Sequence, residues 1–255
     1  MKSFLKLTLP AAALVATAWL APVVAQAQAP AAAPAAVPRT AKARAPIDFT
    51  GAWVAVVNED WRWRMLTPPK GDFPGIPLTP AGTAAANAWD PATDGSCKAY
   101  GVGGLMRMPT RLHISWDGEQ AIKIETDAGV QTRRLSFERS PAGPPTLQGY
   151  SDARWEYPVG TPATGPAAGA PPAGSLRVVT TGHTGGWVRK NGVPYSDKAV
   201  INEYFDTFKG PDGQDWLTVL TQVDDPVNFV GGFWTSSQFK RETGEAKWFP
   251  KPCKS

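Results

Sequence analysis

The sequence predicts an all-β protein that folds as a single antiparallel β-barrel or a closely related sandwich. Apolar and polar residues alternate in short segments between residues 111 and 242, as in half-buried strands. Turn-forming pairs such as Asp117-Gly118 and Ala128-Gly129 separate these segments. One stretch, residues 79–89, has a helical pattern and begins with a Thr-Pro pair. Many short strands with little helix are typical of barrels and sandwiches.

The predicted strands begin with a three-stranded meander. In RLHISW, Leu112 and Ile114 share one face while Arg111 and His113 share the other. AIKIETD and VQTRRLSF continue the same alternation. Further strands are predicted in SLRVVTT, AVINEYFDTF, DWLTVLTQV and FVGGFWTSSQFKRE, with a hairpin turn at residues 210–213. Seven or eight strands in all are expected.

The two ends of the chain differ in composition from this body. Residues 1–27 have the basic start, apolar run and small-residue cleavage site of a signal peptide. Residues 28–46 are rich in Ala and Pro and predict a disordered tether, and residues 158–174 predict a flexible loop. This leaves residues 47–255 as a single β-barrel domain. We expect a periplasmic or secreted protein without stable membrane insertion after signal cleavage.

Charge and cysteine usage narrow the class of protein. The chain has 26 basic and 22 acidic residues, and removal of the signal peptide takes away two lysines. The remaining balance does not predict a nucleic-acid-binding face. Cys97 and Cys253 are the two cysteines, and an even count in an exported protein predicts a disulfide between them. A thiol metal or redox site is not favoured, because no C-x-x-C spacing occurs.

The two histidines offer the candidate catalytic chemistry. His113 lies on the polar face of a predicted strand, where Asp127 and Glu203 are candidate carboxylate partners for acid–base catalysis. Such a site needs no motif, so a lyase, isomerase or hydrolase remains open. No H-x-H or H-E-x-x-H spacing supports a metal site, and no G-x-S-x-G elbow supports a serine nucleophile. No cofactor is predicted.

A ligand site is the other interpretation of the polar residues. Ten tryptophans follow the signal peptide, and such aromatic residues either fill a core or line a pocket. The polar face of the meander is either a solvated exterior or a barrel lumen, which strand register decides. Asn191-Gly192 predicts a turn in a rim loop that can close over the barrel mouth. The candidate ligand-binding residues are Arg111, Arg133, His183, Trp187, Arg189 and Tyr195, with arginine holding an anionic group.

Several segments carry a resemblance to a known group of proteins. These are DFTGAWV, PLTPAGTAAANAWDPATDGSCKAYGVGGLMRMPTRLHISWDG, IKIETDAGVQTRRLSF, QGYSDARWE, SLRVVTTGHTGGWVRKNGVPYSDKAVINEYFD and VDDPVNFVGGFWTSSQFK. Over residues 50–253 the chain resembles an uncharacterised family of exported Gram-negative bacterial proteins. The resemblance implies a lipocalin-like antiparallel β-barrel and supplies no catalytic residues.

Three functional hypotheses follow from the sequence. The first is an exported β-barrel that binds a small aromatic or carbohydrate-like molecule, with tryptophans as stacking walls. The second is a periplasmic lyase or hydrolase that uses a histidine and a carboxylate in the barrel lumen. The third is a cell-envelope interaction module, whose protein partner the sequence does not name.

Overall fold

The computed structural model describes residues 40–93, 97–139, 143–161, 173–244 and 247–253. The predicted signal peptide, most of the predicted tether and most of the loop at 158–174 lie outside the described residues. The strands of the described residues are β1 Gly51–Val56, β2 Arg111–Trp116, β3 Ala121–Thr126, β4 Ala128–Gly129, β5 Thr132–Ser136, β6 Tyr150–Glu156, β7 Ser175–Thr181, β8 Gly186–Arg189, β9 Val193–Tyr195, β10 Val200–Lys209, β11 Asp215–Asp224, β12 Phe233–Glu242 and β13 Lys251–Pro252. The helices are α1 Trp61–Met65, α2 Pro80–Ala88 and α3 Val102–Leu105, with 3-10 turns at Pro91–Thr93 and Lys98–Tyr100.

Nine strands of the described residues form a closed barrel, in the order β1-β12-β11-β10-β7-β6-β5-β3-β2. The all-β single-barrel prediction is therefore confirmed. The predicted turns at Asp117-Gly118 and at residues 210–213 join β2 to β3 and β10 to β11. One neighbouring pair departs from the antiparallel prediction, since β5 and β6 run parallel. The connection from β5 to β6 therefore returns the chain to the end of the barrel where β5 began, whereas a hairpin would join neighbouring strand ends.

The interior of the barrel is a packed apolar core. Alternation along each strand turns side chains such as Leu112 and Ile114 inward, where they are buried. The largest of these core side chains include Phe49, Trp53, Phe205 and Phe239. Because these residues fill the interior around them, this part of the barrel is not the open cavity that a lipocalin-like binder would have.

The polar residues of the meander divide between the two faces of the wall. Arg111 and His113 lie on the outer face, opposite the buried Leu112, as expected for a solvated exterior. Arg133 lies on the inner face and is 1% exposed. The difference arises between β3 and β5, where Gly129 and Val130 have φ values of 77° and 50°. This left-handed backbone interrupts the alternation. Even-numbered residues point inward in β3, whereas odd-numbered residues such as Arg133 point inward in β5.

A cap covers one end of the barrel. We use this name for α1, α3 and the β8–β9 hairpin; α3 and the hairpin contribute to a second apolar cluster that contains Val102, Val188 and Val193. The predicted turn at Asn191-Gly192 is present, and Gly192 has a φ of 80°. A Cβ atom at this position would lie 2.1 Å from Cγ of Trp89, so the turn requires glycine. The rim loop expected between barrel strands is thus a separate hairpin that packs onto the barrel mouth.

Two further predictions are confirmed. Helix α2 begins after Thr79, whose hydroxyl accepts a hydrogen bond from the Gly82 amide at 3.0 Å. Cys97 and Cys253 form a disulfide that joins residues 156 positions apart.

The ordered body begins before residue 46, the end of the predicted tether. Ala41 is fully buried, and its carbonyl accepts a hydrogen bond from Nε1 of Trp155 at 2.8 Å. The hydroxyl of Tyr157 donates to the carbonyl of Arg44 at 3.0 Å. Residues 40–46 therefore pack against the barrel. Within the described residues, none of the helices is long and apolar enough to span a membrane.

Candidate anion-binding site

The three candidate catalytic residues are separated in the structure. His113 lies on the outer face of β2 and stacks on Trp248, with ring centroids 3.7 Å apart. Glu203 lies on the inner face of β10 and is fully buried. Because the barrel wall separates these two side chains, they do not form the lumen acid–base pair that the sequence suggested.

Asp127, the third candidate, is held in a local hydrogen-bond network. Its Oδ1 atom accepts hydrogen bonds from the Thr110 hydroxyl and from the Arg111 and Ala128 amides, at 2.7–2.8 Å. Arg111, which was a candidate ligand-binding residue, forms ion pairs with Asp127 and with Glu242. Asp127 and Arg111 therefore anchor the strand ends on the outside of the barrel.

Arg133 forms a buried ion pair with Glu203 inside the barrel. Nη1 of Arg133 donates to Oε1 of Glu203 at 3.0 Å, and Nη2 donates to Oε2 at 2.5 Å. The two side chains are 1% and 0% exposed. This bidentate geometry neutralises both charges within the protein. Arg133 is therefore engaged by Glu203 rather than free to hold an anionic ligand.

His183 and Tyr195 fasten the cap. Nε2 of His183 donates to the Ala199 carbonyl at 2.9 Å, and Nδ1 accepts from the Gly185 amide at 3.2 Å. The Tyr195 hydroxyl accepts from the Gly103 amide at 3.1 Å and is buried. Burial lowers the pKa of His183 and raises that of Tyr195. Both residues, predicted to bind a ligand, instead form contacts within the cap.

Arg189, another predicted ligand-binding residue, belongs to a group of three arginines beneath the cap. This arginine cluster consists of Arg64 from α1, Arg107 from the turn after α3, and Arg189 from β8. The three residues are 2%, 4% and 5% exposed. The Arg189 guanidinium lies 4.6 Å from the ring centroid of Trp63. The structure thus brings together three cations from segments that are distant in the sequence.

Within the described residues Arg107 has a direct carboxylate partner, and Glu59, Asp60 and Asp72 oppose the lowering of the arginine pKa values. Nη2 of Arg107 is paired with Asp60 at 3.0 Å, and Nε of Arg64 donates to the Arg107 carbonyl at 2.8 Å. Four buried nitrogens have no hydrogen-bond partner in the described part of the chain: Nη1 and Nη2 of Arg64, and Nε and Nη1 of Arg189. Buried donors without acceptors are costly, at about 1–3 kcal/mol each.

The pKa values of all three arginines in the cluster are lowered. Burial, followed by repulsion from Arg107, lowers the pKa of Arg64 to about 10. The same two causes, in the same order, lower the pKa of Arg189 to about 10. Burial also lowers the pKa of Arg107, against the opposing effect of Asp60. An anion in contact with these groups would raise their pKa values.

A small cavity and a larger pocket adjoin this cluster. The cavity has a volume of about 10 Å³ and is lined by Trp63, Arg64, Arg107, Met108, Val188, Arg189 and Lys190. The pocket has a volume of about 290 Å³, and Lys190 lines it as well. We call it the lysine pocket, because its described lining residues include Lys98, Lys190 and Lys251 but no carboxylate.

The disulfide forms part of the wall of the lysine pocket. Cys97 and Cys253 both line it, and Lys98 follows the first of them directly. Lys251 is held by its backbone amide, which donates to the Asp127 carbonyl at 2.8 Å. The cross-link therefore fixes two lysine-bearing segments from opposite ends of the barrel domain beside each other.

Sequence reasoning identified Arg189 but missed most of this site. Arg64 lies in WRWRM, whose strict alternation is typical of a strand although the segment is helical, and Arg107 lies in an irregular turn. The available signal was the cluster of Arg and Trp at residues 61–64, which is a common setting for cation–π contacts.

The described tryptophans do not together line the small cavity and the lysine pocket, as the prediction of tryptophan stacking walls would require. Trp187 contacts Lys98 and packs edge-on against Trp89. Trp63 lines the small cavity, whereas Trp53 and Trp155 are buried in the barrel core. Within the described residues, no group of three His, Cys, Asp or Glu side chains is placed to hold a metal ion.

Comparisons with known proteins found no match among protein-family models, curated proteins or solved structures. The resemblance to an exported family therefore stays a prediction. The fold and the site define a closed β-barrel with a capped, cationic mouth.

Proposed function

We propose that this chain is an exported β-barrel protein that binds a small anionic molecule at its capped mouth. The observation that carries the proposal is the set of four unpartnered guanidinium nitrogens on Arg64 and Arg189. A carboxylate, phosphate or sulfate group would accept hydrogen bonds from these donors and match their charge. The signal-peptide pattern of the first 27 residues supports export.

The sizes of the two spaces suggest how a ligand is held. The small cavity, about 10 Å³, has room for one oxygen atom of an anionic group. The lysine pocket, about 290 Å³, has room for the remainder of a small molecule. Lys190 lines both spaces, so we place it between the anionic group and the ligand body.

The ring of Trp63 is the described aromatic side chain at the small cavity, and Arg189 already covers it. This arrangement favours recognition by charge over recognition by aromatic stacking. The proposed ligand is accordingly an anionic small molecule. An aromatic or sugar-like body is compatible with the lysine pocket, but the geometry does not require it.

Anion-dependent stability tests the proposal. The full chain would be unfolded thermally in increasing sodium phosphate or sodium acetate, at constant total ionic strength. We expect a saturable rise in Tm, because a ligand that binds the folded state stabilises it by about 2.7 kcal/mol at 100 times its Kd. The double variant Arg64→Gln/Arg189→Gln should lose the rise.

Arg62→Gln is the matched control. Arg62 lies on the same helix as Arg64, but its side chain is 61% exposed and it does not line the small cavity. We expect Arg62→Gln to retain the saturable rise. An equal anion dependence in the wild type, the control and the double variant would show a general salt effect and would contradict the proposed site.

A further inference from the structure

The barrel wall has a weak point where β5 meets β6. These strands pair in parallel over two residue pairs, Leu135 with Ser151 and Ser136 with Asp152. The rest of β5, Thr132–Arg134, has no β6 partner in the described residues. A cleft of about 550 Å³ lies here, and we call it the seam cleft; its lining residues are Thr132–Arg134 and Thr146–Ser151.

The backbone of β5 directs some of its hydrogen-bonding groups towards this cleft. Gln131 accepts a hydrogen bond from the Thr126 amide, and the Phe137 amide donates to Gln120, both at 2.9 Å. Residues 131 and 137 therefore face β3, as do the odd-numbered residues between them. By the same alternation, the amide and carbonyl groups of Thr132 face the seam cleft.

One of the lining residues, Gln148, has a side-chain acceptor without a partner among the described residues. Nε2 of Gln131 donates to the Gly129 carbonyl at 2.7 Å, which makes Oε1 of Gln131 an acceptor. Nε2 of Gln148 donates to that Oε1 atom at 2.9 Å and to the Tyr100 carbonyl at 2.7 Å. The orientation of the Gln148 amide is therefore fixed, and its Oε1 atom is buried without a donor.

The cations beside the seam cleft are already neutralised. Arg133 is paired with Glu203, and Arg134 is paired with Asp117 at 2.7 Å. Leu147 and Tyr150 add apolar surface to the lining. A neutral occupant with both donors and acceptors fits these surroundings better than an anion does.

We propose that the seam cleft binds a short extended peptide segment, which pairs with the exposed edge of β5. A peptide backbone offers an N–H and a C=O at each residue, and it can therefore pair with both groups of Thr132. The three residues of β5 that have no β6 partner span about 10 Å at 3.3 Å per residue, enough for a segment of about three residues. This second site is independent of the arginine cluster.

Backbone NMR with a defined probe tests this proposal. The probe is the acetylated and amidated peptide Val-Thr-Val-Thr, and the comparison probe is the same peptide with N-methylated amides. We expect the first peptide to shift the amide resonances of residues 132–134 and 146–151 in a saturable manner. N-methylation should abolish the shifts, because the peptide can no longer donate hydrogen bonds.

Thr132→Pro and Thr132→Val form the matched pair of variants. Proline removes the N–H that faces the cleft but not a hydrogen bond to β3, so the barrel should remain folded. Valine retains the N–H. We expect binding by Thr132→Val and at least a tenfold weaker response in Thr132→Pro.

Equal shifts from the methylated peptide, equal shifts in a folded Thr132→Pro, or shifts spread over the whole barrel would overturn the proposal. So would the absence of any shift with the unmethylated peptide at millimolar concentration. If Thr132→Pro fails to fold, the comparison of the two peptides on the wild type decides.

Discussion

Two groups of buried arginines differ in how their charge is balanced. In the barrel interior, Arg133 meets Glu203 in a bidentate pair, and both side chains are at most 1% exposed. Beneath the cap, Arg64, Arg107 and Arg189 lie together with Asp60 as their direct carboxylate partner. The charge of Arg133 is balanced by Glu203, although Nε of Arg133 has no hydrogen-bond partner among the described residues, whereas four such nitrogens lie on Arg64 and Arg189, which have no direct carboxylate partner there.

The difference teaches how to separate a structural arginine from a ligand-binding one. Burial alone does not distinguish them, because all four guanidinium groups are almost fully covered. The distinction lies in whether a carboxylate directly matches the charge of each guanidinium group. A buried charge that is unmatched inside the protein is retained at a cost to stability, and function is the reason that such a cost is tolerated.

The largest effect is expected from Arg133→Met. This change leaves the Glu203 carboxylate buried without its partner, and breaking such a pair costs about 3–5 kcal/mol. The free energy of unfolding, measured with urea, should fall by that amount. Added phosphate should not restore it, because an anion cannot replace a cation.

The double variant Arg133→Met/Glu203→Leu is the control for this prediction. Removal of both charges should recover most of the lost stability, since apolar residues of similar size often replace a buried pair without loss. A double variant that is as unstable as the single one would show that packing, rather than charge, gives Arg133 its importance.

A smaller effect is expected from acidification, and it should be confined to the cap. Burial of His183 lowers its pKa below the ordinary 6.5, and this outweighs the Ala199 carbonyl and the nearby Asp197 and Asp225. Above pH 6.5 the histidine is neutral in both the folded and unfolded states. As the pH falls below 6.5, the unfolded state binds the proton more readily, so stability falls.

Hydrogen exchange at the β8–β9 amides would measure this loss. Exchange protection of the cap should decrease between pH 6.5 and pH 5, while the core strands keep theirs. The variant His183→Gln supplies a donor near the Ala199 carbonyl and does not titrate, so its cap should show a weaker pH dependence. An unchanged dependence in that variant would assign the acid sensitivity to other groups.

The smallest effect is expected from Arg189→Met, the same substitution made in the arginine cluster. Loss of an unpaired buried charge relieves repulsion from Arg107, so the free energy of unfolding without ligand should change by less than about 1 kcal/mol. Urea unfolding beside Arg133→Met measures the contrast directly. A loss of 3 kcal/mol or more would mean that Arg189 has a structural role like that of Arg133.

The regular parts of the fold were predictable from local patterns. Alternation predicted seven of the nine barrel strands but not β1 or β6, a Thr-Pro cap predicted α2, and Asn191-Gly192 predicted the hairpin turn. The cysteine count predicted the disulfide. Each of these depends on interactions between residues that are close in sequence, or on an even number of a reactive residue.

The irregular parts were not predictable. The face of Arg133 depends on the positive φ values of Gly129 and Val130, and non-glycine residues adopt this geometry rarely. Arg64 and Arg107 become neighbours only when the cap folds onto the barrel. The parallel β5–β6 pair depends on the connection between these strands, where Gly143-Pro144 and Pro144-Pro145 indicate a loop but not its direction.

The disulfide has a consequence for the order in which the barrel can form. It closes a covalent ring from Cys97 to Cys253, which contains β2 to β13, while β1 lies outside it. β1 pairs with β2 on one side and with β12 on the other, and so joins the two edges of the sheet within that ring. β1 is synthesised before the other described strands, but its partner β12 begins only at Phe233. β1 therefore cannot complete its pairing until almost the whole chain has been made. A protease cut between β1 and Cys97 would leave β1 attached to the barrel by hydrogen bonds and packing alone. A single cut inside the ring would leave the chain in one covalent piece.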